Sequence, residues 1–411
     1  MAVEAPSATG INRPGTSGAG ARSTSVRLLL ALSPLVLLAG LLAWIVWSGP
    51  ADAIRGSNYP PVERLSFGRV VLEENGIVAT VLNDGPDPVT IAQLQIDDAF
   101  WTFTTDANGP LAHLGRATLR IPYPWVQGEA HVIRVLTSTG TAFEHEIPVA
   151  VTTPTMTARF IGTFALIGLY LGVLPVAIGL LWFPFLRRLS ARGMDFLLAL
   201  TIGLLVFLLL DGAHEGLEAA ASLPASFQGV VLFAMTAGGA YVALEAVGAW
   251  LARRRTGNSG GWVLALLIAV GIGLHNFGEG LAIGSAFSLG EVAHGTLLIV
   301  GFTLHNTTEG LAIVAPLVRG GQKPGLGRLL QLGLIGGVPT IAGAWVGGFV
   351  YSPVWAVVFL GAGVGAIAQV VSQISRQLGR DLSVPTLATA PVLGGLVSGF
   401  AVMYITGMLV G

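Results

Sequence analysis

Apolar and polar positions alternate between residues 50 and 157, as in 76–96 and 131–151, with turn signals such as Asn83-Asp84-Gly85-Pro86 between the runs. A period of two predicts strands with one buried face, and short strands between turns are typical of a small antiparallel β-sandwich. The histidines of this region show no metal-ligand spacing, and we expect them on its surface. From residue 158 the pattern changes to apolar stretches that are long enough to cross a bilayer as helices.

The chain after the β-sandwich contains eight such apolar stretches, joined by short loops. The sequence therefore predicts an all-α polytopic membrane domain over residues 158–411. We place its spans at 158–183, 194–222, 227–251, 261–287, 292–318, 329–350, 353–375 and 386–410.

The first 48 residues precede the β-sandwich. Residues 1–26 are rich in Ser, Gly, Ala and Pro without an apolar period, and we expect a disordered tail. Residues 27–48 are apolar enough for a transmembrane anchor. A cleaved secretory signal is the alternative, because Ala51-Asp52-Ala53 resembles a cleavage site.

Composition supports a membrane protein. Only 10% of the 411 residues are charged and 53% are hydrophobic, whereas a soluble domain carries about 25% charged residues. These values argue against a soluble enzyme, a disordered chain and a nucleic-acid binder. The chain has no cysteine, so any transition-metal site must use histidine, carboxylate and amide ligands.

Basic residues indicate the orientation. Eleven of the 21 Lys and Arg residues lie after Arg159, all in alternate loops or at the span ends beside them. By the positive-inside rule these loops and the N-terminal tail are cytoplasmic, while the β-domain and the C-terminus lie outside. We expect a multi-pass protein of the cell membrane, with the lipid bilayer as its surroundings.

Acidic residues occur inside the predicted spans. A carboxylate at the bilayer centre costs about 2.5–3.5 kcal/mol or more, so such groups must be protonated, hydrated or bound to a cation. Cation handling is therefore our main hypothesis, and hydrogen bonding between helices is the alternative. The candidates for a secondary metal or proton pathway are Asp211, His214, Glu215, Glu218 and Glu245. Asp211, His214 and Glu218 are spaced as one helical stripe, with Glu215 beside Asp211, whereas Glu245 stands alone.

The most specific signal is an internal repeat. The segment His275–Ile283 (HNFGEGLAI) recurs as His305–Ile313 (HNTTEGLAI). Each copy places His and Glu at i and i+4 on one helical face, with Asn one residue after the His. The two helices run in opposite directions, which is typical of inverted repeats around a midplane transport site. Two His and two Glu make a plausible four-ligand site for zinc or another first-row metal.

This repeat resembles the fourth and fifth core helices of the ZIP (Zrt/Irt-like) metal transporters, and the resemblance covers about residues 158–411. It implies an eight-helix core that carries zinc, or iron, manganese, cobalt or cadmium, into the cytoplasm. It also implies a homodimer and, in some members, an elevator-like movement of one helix bundle. The ligands it implies are His275, Glu279 and Glu309, with Asn276, His305 and Asn306 flanking them or completing a second metal position.

The chain departs from the family pattern at several positions. Gly278 and Thr308 stand where the family commonly has Pro, and Gly337–Thr340 lacks the acid that many members have in the sixth core helix. In the seventh helix Gln369 and Gln373 stand where relatives carry an acid, and we add both to the candidates for the secondary metal or proton pathway. The number of metals per site therefore stays open.

Two other functions were weighed. An intramembrane metalloprotease needs the motif HExxH, but His214-Glu215 is followed by Glu218 where the second His should be. A receptor-like protein with a partner-binding β-domain would not need acids inside its spans. The β-domain has no ligand cluster, so we expect it to be dispensable for basal transport.

Overall fold

The computed structural model describes residues 20–48, 60–254, 260–288, 292–350, 352–381 and 389–408. The chain forms two compact units, Met1–Pro61 and Val62–Gly411. The first contains helix α1 (Gly20–Ser48). This helix begins within the stretch for which the sequence predicts a disordered tail. Residues 1–19 and the candidate cleavage site lie outside the described residues.

Eight strands form the β-domain in two four-stranded sheets, ordered β1-β2-β6-β5 and β4-β3-β7-β8. Their inward side chains, among them Ile77, Leu119 and Ile133, share one buried core, as expected of a sandwich. The strands are β1 (Leu65–Glu73), β2 (Gly76–Asn83), β3 (Ile91–Ile96), β4 (Ala99–Phe100), β5 (Thr104–Thr105), β6 (Arg116–Ile121), β7 (His131–Thr137) and β8 (Ala142–Ile147).

One histidine of the β-domain corrects the sequence analysis. His131 is buried, and its Nδ1 lies 2.7 Å from Asp97 Oδ2. The alternation along β7 turns this position inward, where Asp97 and the ring of Tyr123 contact it.

The rest of the described chain is helical. Six helices are long and apolar enough to cross a membrane, which confirms a polytopic membrane protein by length and composition. The helices are α2 (Ala158–Leu186), α3 (Ala191–Ala221), α4 (Gly229–Arg254), α5 (Gly260–Ser288), α6 (Val292–Arg319), α7 (Leu326–Val350), α8 (Pro353–Asp381) and α9 (Ala390–Met408). The predicted spans coincide with these helices to within a turn or two, and residues 386–388 and 409–410 of the last span lie outside the described residues.

Close glycine contacts sort the helices into two groups. A Cβ atom added to Gly280 of α5 would lie 2.1 Å from the carbonyl oxygen of Thr340 in α7. A Cβ atom added to Gly310 of α6 would lie 2.2 Å from the carbonyl oxygen of Val176 in α2. We call α2, α5, α6 and α7 the site group. We call α3, α4, α8 and α9 the frame group. In it, Gly399 of α9 packs against the backbone of α3, and Gly365 of α8 packs against the backbone of α4. Small residues let membrane helices approach this closely.

The β-domain contacts one end of the bundle at two points. Asn83, fully buried, shapes the predicted turn, and the neighbouring Asp84 accepts hydrogen bonds from the backbone N–H groups of Ala225 and Ser226, between α3 and α4. Arg69 donates to the carbonyl oxygen of Phe349 at the end of α7. The β-domain therefore contacts both helix groups at the same end.

Candidate metal centre

Each copy of the repeat presents two faces. On α5, Asn276 and Gly280 face α7, since the Asn276 amide donates to the Gly336 carbonyl oxygen (3.1 Å). On α6, Asn306 and Gly310 face α2, and the Asn306 amide donates to the Leu171 carbonyl oxygen (3.0 Å). Equivalent residues thus hold each repeat helix against a different partner helix, which fixes the direction in which the His and Glu side chains point.

The His and Glu side chains meet between α5 and α6. His305 Nε2 hydrogen-bonds to Glu279 Oε1, and His275 Nε2 lies 3.4 Å from the same oxygen. The three ligand atoms lie within 4.8 Å of one another. Ligand atoms about 2.0–2.1 Å from a tetrahedral zinc are separated by about 3.3 Å. The spacing of His275 and Glu279 already suits the ion, whereas the directly hydrogen-bonded atoms of His305 and Glu279 must move apart to admit it.

A π-helical turn in α2, Leu169–Val173, lies beside this cluster and supplies the Leu171 carbonyl oxygen. Such turns interrupt the regular helix and are frequent at functional sites. Asn306 uses its second amide hydrogen on Glu279 Oε2 (2.9 Å). Glu279 is therefore held by contacts from both repeats. The π-helical turn itself is not predicted by any pattern in the sequence.

Several buried oxygen atoms at the centre accept no hydrogen bond from the described part of the chain. They include both carboxylate oxygens of Glu309 and the amide oxygens of Asn276 and Asn306. Glu309 is 3% exposed and interacts with the side chain of Asn276 as well as electrostatically with Glu279, His275 and His305. Leaving such groups unpaired in an apolar interior is costly, and a cation offers the missing partner. Thr340 Oγ1 on α7 is also buried without a hydrogen bond, where the family pattern led us to look for an acid.

A cavity of about 20 Å³, measured as space open to the centre of a water-sized sphere, adjoins the centre. Its walls come from α5 and α6 of the site group and from α3 and α8 of the frame group. Space of this size holds about one water molecule or a bare metal ion. Asp211 and Glu215 of α3 line it beside His275 and Glu279, so these two predicted pathway residues do meet the centre.

The predicted stripe on α3 is split by packing. Gly212 and Gly216 face α8 and α4, which turns Asp211 and Glu215 toward the cavity. His214 and Glu218 form an exposed pair (3.3 Å) that does not line the cavity. The prediction that Asp211 forms one functional face with His214 and Glu218 is therefore corrected.

Glu245 and the two glutamines form a separate arrangement. Arg376 donates two hydrogen bonds to Glu245 (2.8 and 2.9 Å), and Gln369 donates a third (3.2 Å). Gln373 points toward Gly248 of α4. None of these residues lines the cavity. From the sequence we expect an acid inside a span to be protonated, hydrated or bound to a cation, whereas Glu245 is paired with Arg376 instead.

The sequence analysis missed one further ion pair. Arg319, at the end of α6, donates to Asp195 near the start of α3 (2.9 Å), and both side chains are less than 20% exposed. The sequence does contain a signal for this pair, because an acid near the start of one span and a base at the end of an antiparallel span lie at the same end of the bundle.

The helices and the buried His/Glu cluster together define a polytopic membrane protein whose architecture is compatible with a transporter. The chain matches no protein-family profile and no curated protein sequence.

Proposed function

We propose that this chain is a ZIP-type transporter that carries divalent transition metal ions, principally zinc, into the cytoplasm through the His/Glu/Asn centre between α5 and α6. The observation that supports this most directly is the convergence of His275 Nε2, His305 Nε2 and Glu279 Oε1 from two inverted repeats. If the cluster were only a hydrogen-bond network between helices, its buried oxygen atoms would be expected to have donors. Those of Glu309, Asn276 and Asn306 have none among the described residues.

Charge supports a divalent substrate. Glu279 and Glu309 carry two negative charges when ionised, and no Lys or Arg lines the cavity. A doubly charged cation offsets the charge of these two ligands, and the carboxylates of Asp211 and Glu215 in the cavity wall further favour a divalent over a monovalent ion. Two imidazoles among the ligands favour zinc, cobalt or cadmium over magnesium and calcium, which prefer oxygen ligands alone.

The direction of transport rests on the resemblance and on the basic residues at the end opposite the β-domain, which the positive-inside rule assigns to the cytoplasm. The proposal includes a homodimer in the cell membrane and no catalytic activity. Molecular mass measured by light scattering in detergent tests the dimer.

Zinc uptake by the purified protein in proteoliposomes tests the function. We expect saturable uptake that excess cobalt or cadmium inhibits and that magnesium leaves nearly unchanged. The matched control is the double variant Glu279→Ala with Glu309→Ala in the same vesicles. Absence of uptake by a correctly inserted wild-type protein, or equal inhibition by magnesium, would refute the proposal.

A further inference from the structure

The part-buried ion pair between Asp195 and Arg319 connects the two helix groups. Asp195 is on α3 of the frame group, and Arg319 is the last residue of α6 in the site group. On α3, Asp195 precedes Glu215 by 20 residues, a distance of about 30 Å along a helix axis. The pair therefore lies far from the cavity although it joins the same two groups.

The cavity lies near the middle of the bundle, on the β-domain side of the level of the ion pair. The cavity-lining part of α3, Leu208 to Glu215, lies in its second half, which leads to the connection bound by Asp84 of the β-domain. The start of α3 and the end of α6 lie at the other end. Below the cavity, α5 and α8 are in close contact, since a Cβ on Gly271 would lie 2.8 Å from Val370 Cγ2. This conformation thus has space beside the centre on the β-domain side and packed side chains on the other.

We propose that the Asp195–Arg319 ion pair holds the far end of the bundle closed while the metal centre faces the β-domain, and that it must break before a metal ion leaves at the far end. The inference rests on the proposed transport function. Alternating access requires one bundle to move against the other around the site. A contact that joins the groups at the closed end stabilises the state in which that end is closed. Removing the contact therefore increases the population of the state in which that end is open.

A second ion pair in the same half of the bundle provides a matched comparison. Glu245 and Arg376 join α4 to α8, and both helices belong to the frame group. Breaking this pair removes a similar interaction without separating the two groups. Only the pair between groups is expected to change access at the far end.

Thiol labelling in detergent measures that access without relying on transport. The chain has no cysteine, so Val370→Cys introduces a single reporter at the closed contact with Gly271. We expect Asp195→Asn or Arg319→Gln to speed maleimide labelling about two- to fivefold, which is the change in an equilibrium that loss of a partly exposed ion pair produces. The charge-reversed double variant Asp195→Arg with Arg319→Asp should restore slow labelling. Unchanged labelling, or equal acceleration by Glu245→Gln, would overturn the inference.

A cross-link tests the same idea if the charge variants fold poorly. In Asp195→Cys with Arg319→Cys, a short reducible bifunctional reagent should abolish zinc uptake while leaving zinc binding intact, and reduction should restore uptake. Each single-cysteine variant treated identically is the control. Normal uptake by the cross-linked protein would show that the far end need not open there. Absence of uptake in the wild type would instead refute the transport function, and the labelling result would still stand by itself.

Discussion

Glu279 and Glu309 occupy equivalent positions in the two repeats, but their surroundings differ. His305 and Asn306 contact the two carboxylate oxygens of Glu279 by hydrogen bonds, and His275 lies 3.4 Å away. Glu309 accepts no hydrogen bond from the described residues. The repeat is therefore symmetric in sequence and backbone direction but asymmetric in its polar contacts.

This asymmetry predicts that two matching substitutions both lower zinc affinity but differ in their effect on the stability of the metal-free protein. Glu309→Gln should lower zinc affinity at least about tenfold while leaving the metal-free protein as stable as before or more so, because it removes an unpaired buried charge. Glu279→Gln should lower both the zinc affinity and the stability of the metal-free protein. Two histidines and an asparagine lose their charged partner, at a cost of about 1–3 kcal/mol. Calorimetric zinc titration and thermal unfolding without metal measure the two quantities. Arg253→Gln, at an exposed position, is the control that should change neither.

Packing glycines of the repeats should not tolerate a methyl group. Gly280→Ala and Gly310→Ala place Cβ within 2.2 Å of a backbone carbonyl oxygen, so we expect losses of about 1–3 kcal/mol or more. Gly238→Ala on α4 meets no atom within 4 Å and should be neutral or slightly stabilising. Thermal unfolding of the three variants measures the difference, and similar melting temperatures would contradict the assigned packing.

Zinc affinity should depend on pH. Imidazole and carboxylate bind a metal in their deprotonated forms, so protons compete with zinc. An ordinary imidazole titrates near pH ~6.5, so affinity should fall steadily as the pH is lowered from 8 to 5.5. Zinc titrations of the purified protein across this range measure the trend. A constant affinity would mean that the named ligands lose no protons on binding.

The docking of the β-domain should depend on Asp84. Asp84→Ala removes the acceptor for the N–H groups of Ala225 and Ser226, a capping interaction typically worth about 0.5–2 kcal/mol. We expect faster proteolytic cleavage between the β-domain and α2, with basal zinc uptake retained. Glu74→Ala, an exposed acid in the β1–β2 turn, is the control for cleavage. Complete loss of uptake by a correctly inserted chain starting near residue 156 would show that the β-domain is essential.

The contacts of Asp97 predict that the β-domain loses stability at acidic pH. Burial raises the pKa of its carboxyl group, but hydrogen bonds from Val132, His131 and Tyr123 outweigh this and hold the pKa below its usual range. A lowered folded-state pKa contributes stability that is complete above the unfolded value of about 3.9 and is lost as the pH falls through the folded value. The melting temperature of the β-domain transition in the full chain should therefore fall below about pH 4, and less steeply in Asp97→Asn. Parallel pH profiles for the two proteins would exclude this role.

Much of the fold follows from local patterns in the sequence. Period-two alternation places the strands of the β-domain, and apolar stretches place the helices, because both depend on neighbours within the same segment. The i, i+4 spacing of His275 with Glu279 likewise fixes them on one helical face before any packing is considered.

The choice of contacts between segments does not follow from these patterns. Asp211 lies three residues before His214 and Glu218 four residues after it, which puts all three on one helical stripe. Of the three, only Asp211 lines the cavity, because Gly212 and Gly216 decide which side of α3 meets α8 and α4. The ion pairs of Asp195 and Glu245 also join residues more than 120 positions apart.

The sequence alone determined a membrane domain with inverted His/Glu repeats and a separate β-domain, since hydropathy and helical period act within one segment. Only the tertiary structure decided that Glu279 receives the hydrogen bonds and that Glu309 does not. That difference arises because Asn306 on α6 reaches both α2 and Glu279, while Asn276 on α5 donates to α7. The distribution of these bonds depends on how four helices pack together, which no single segment encodes.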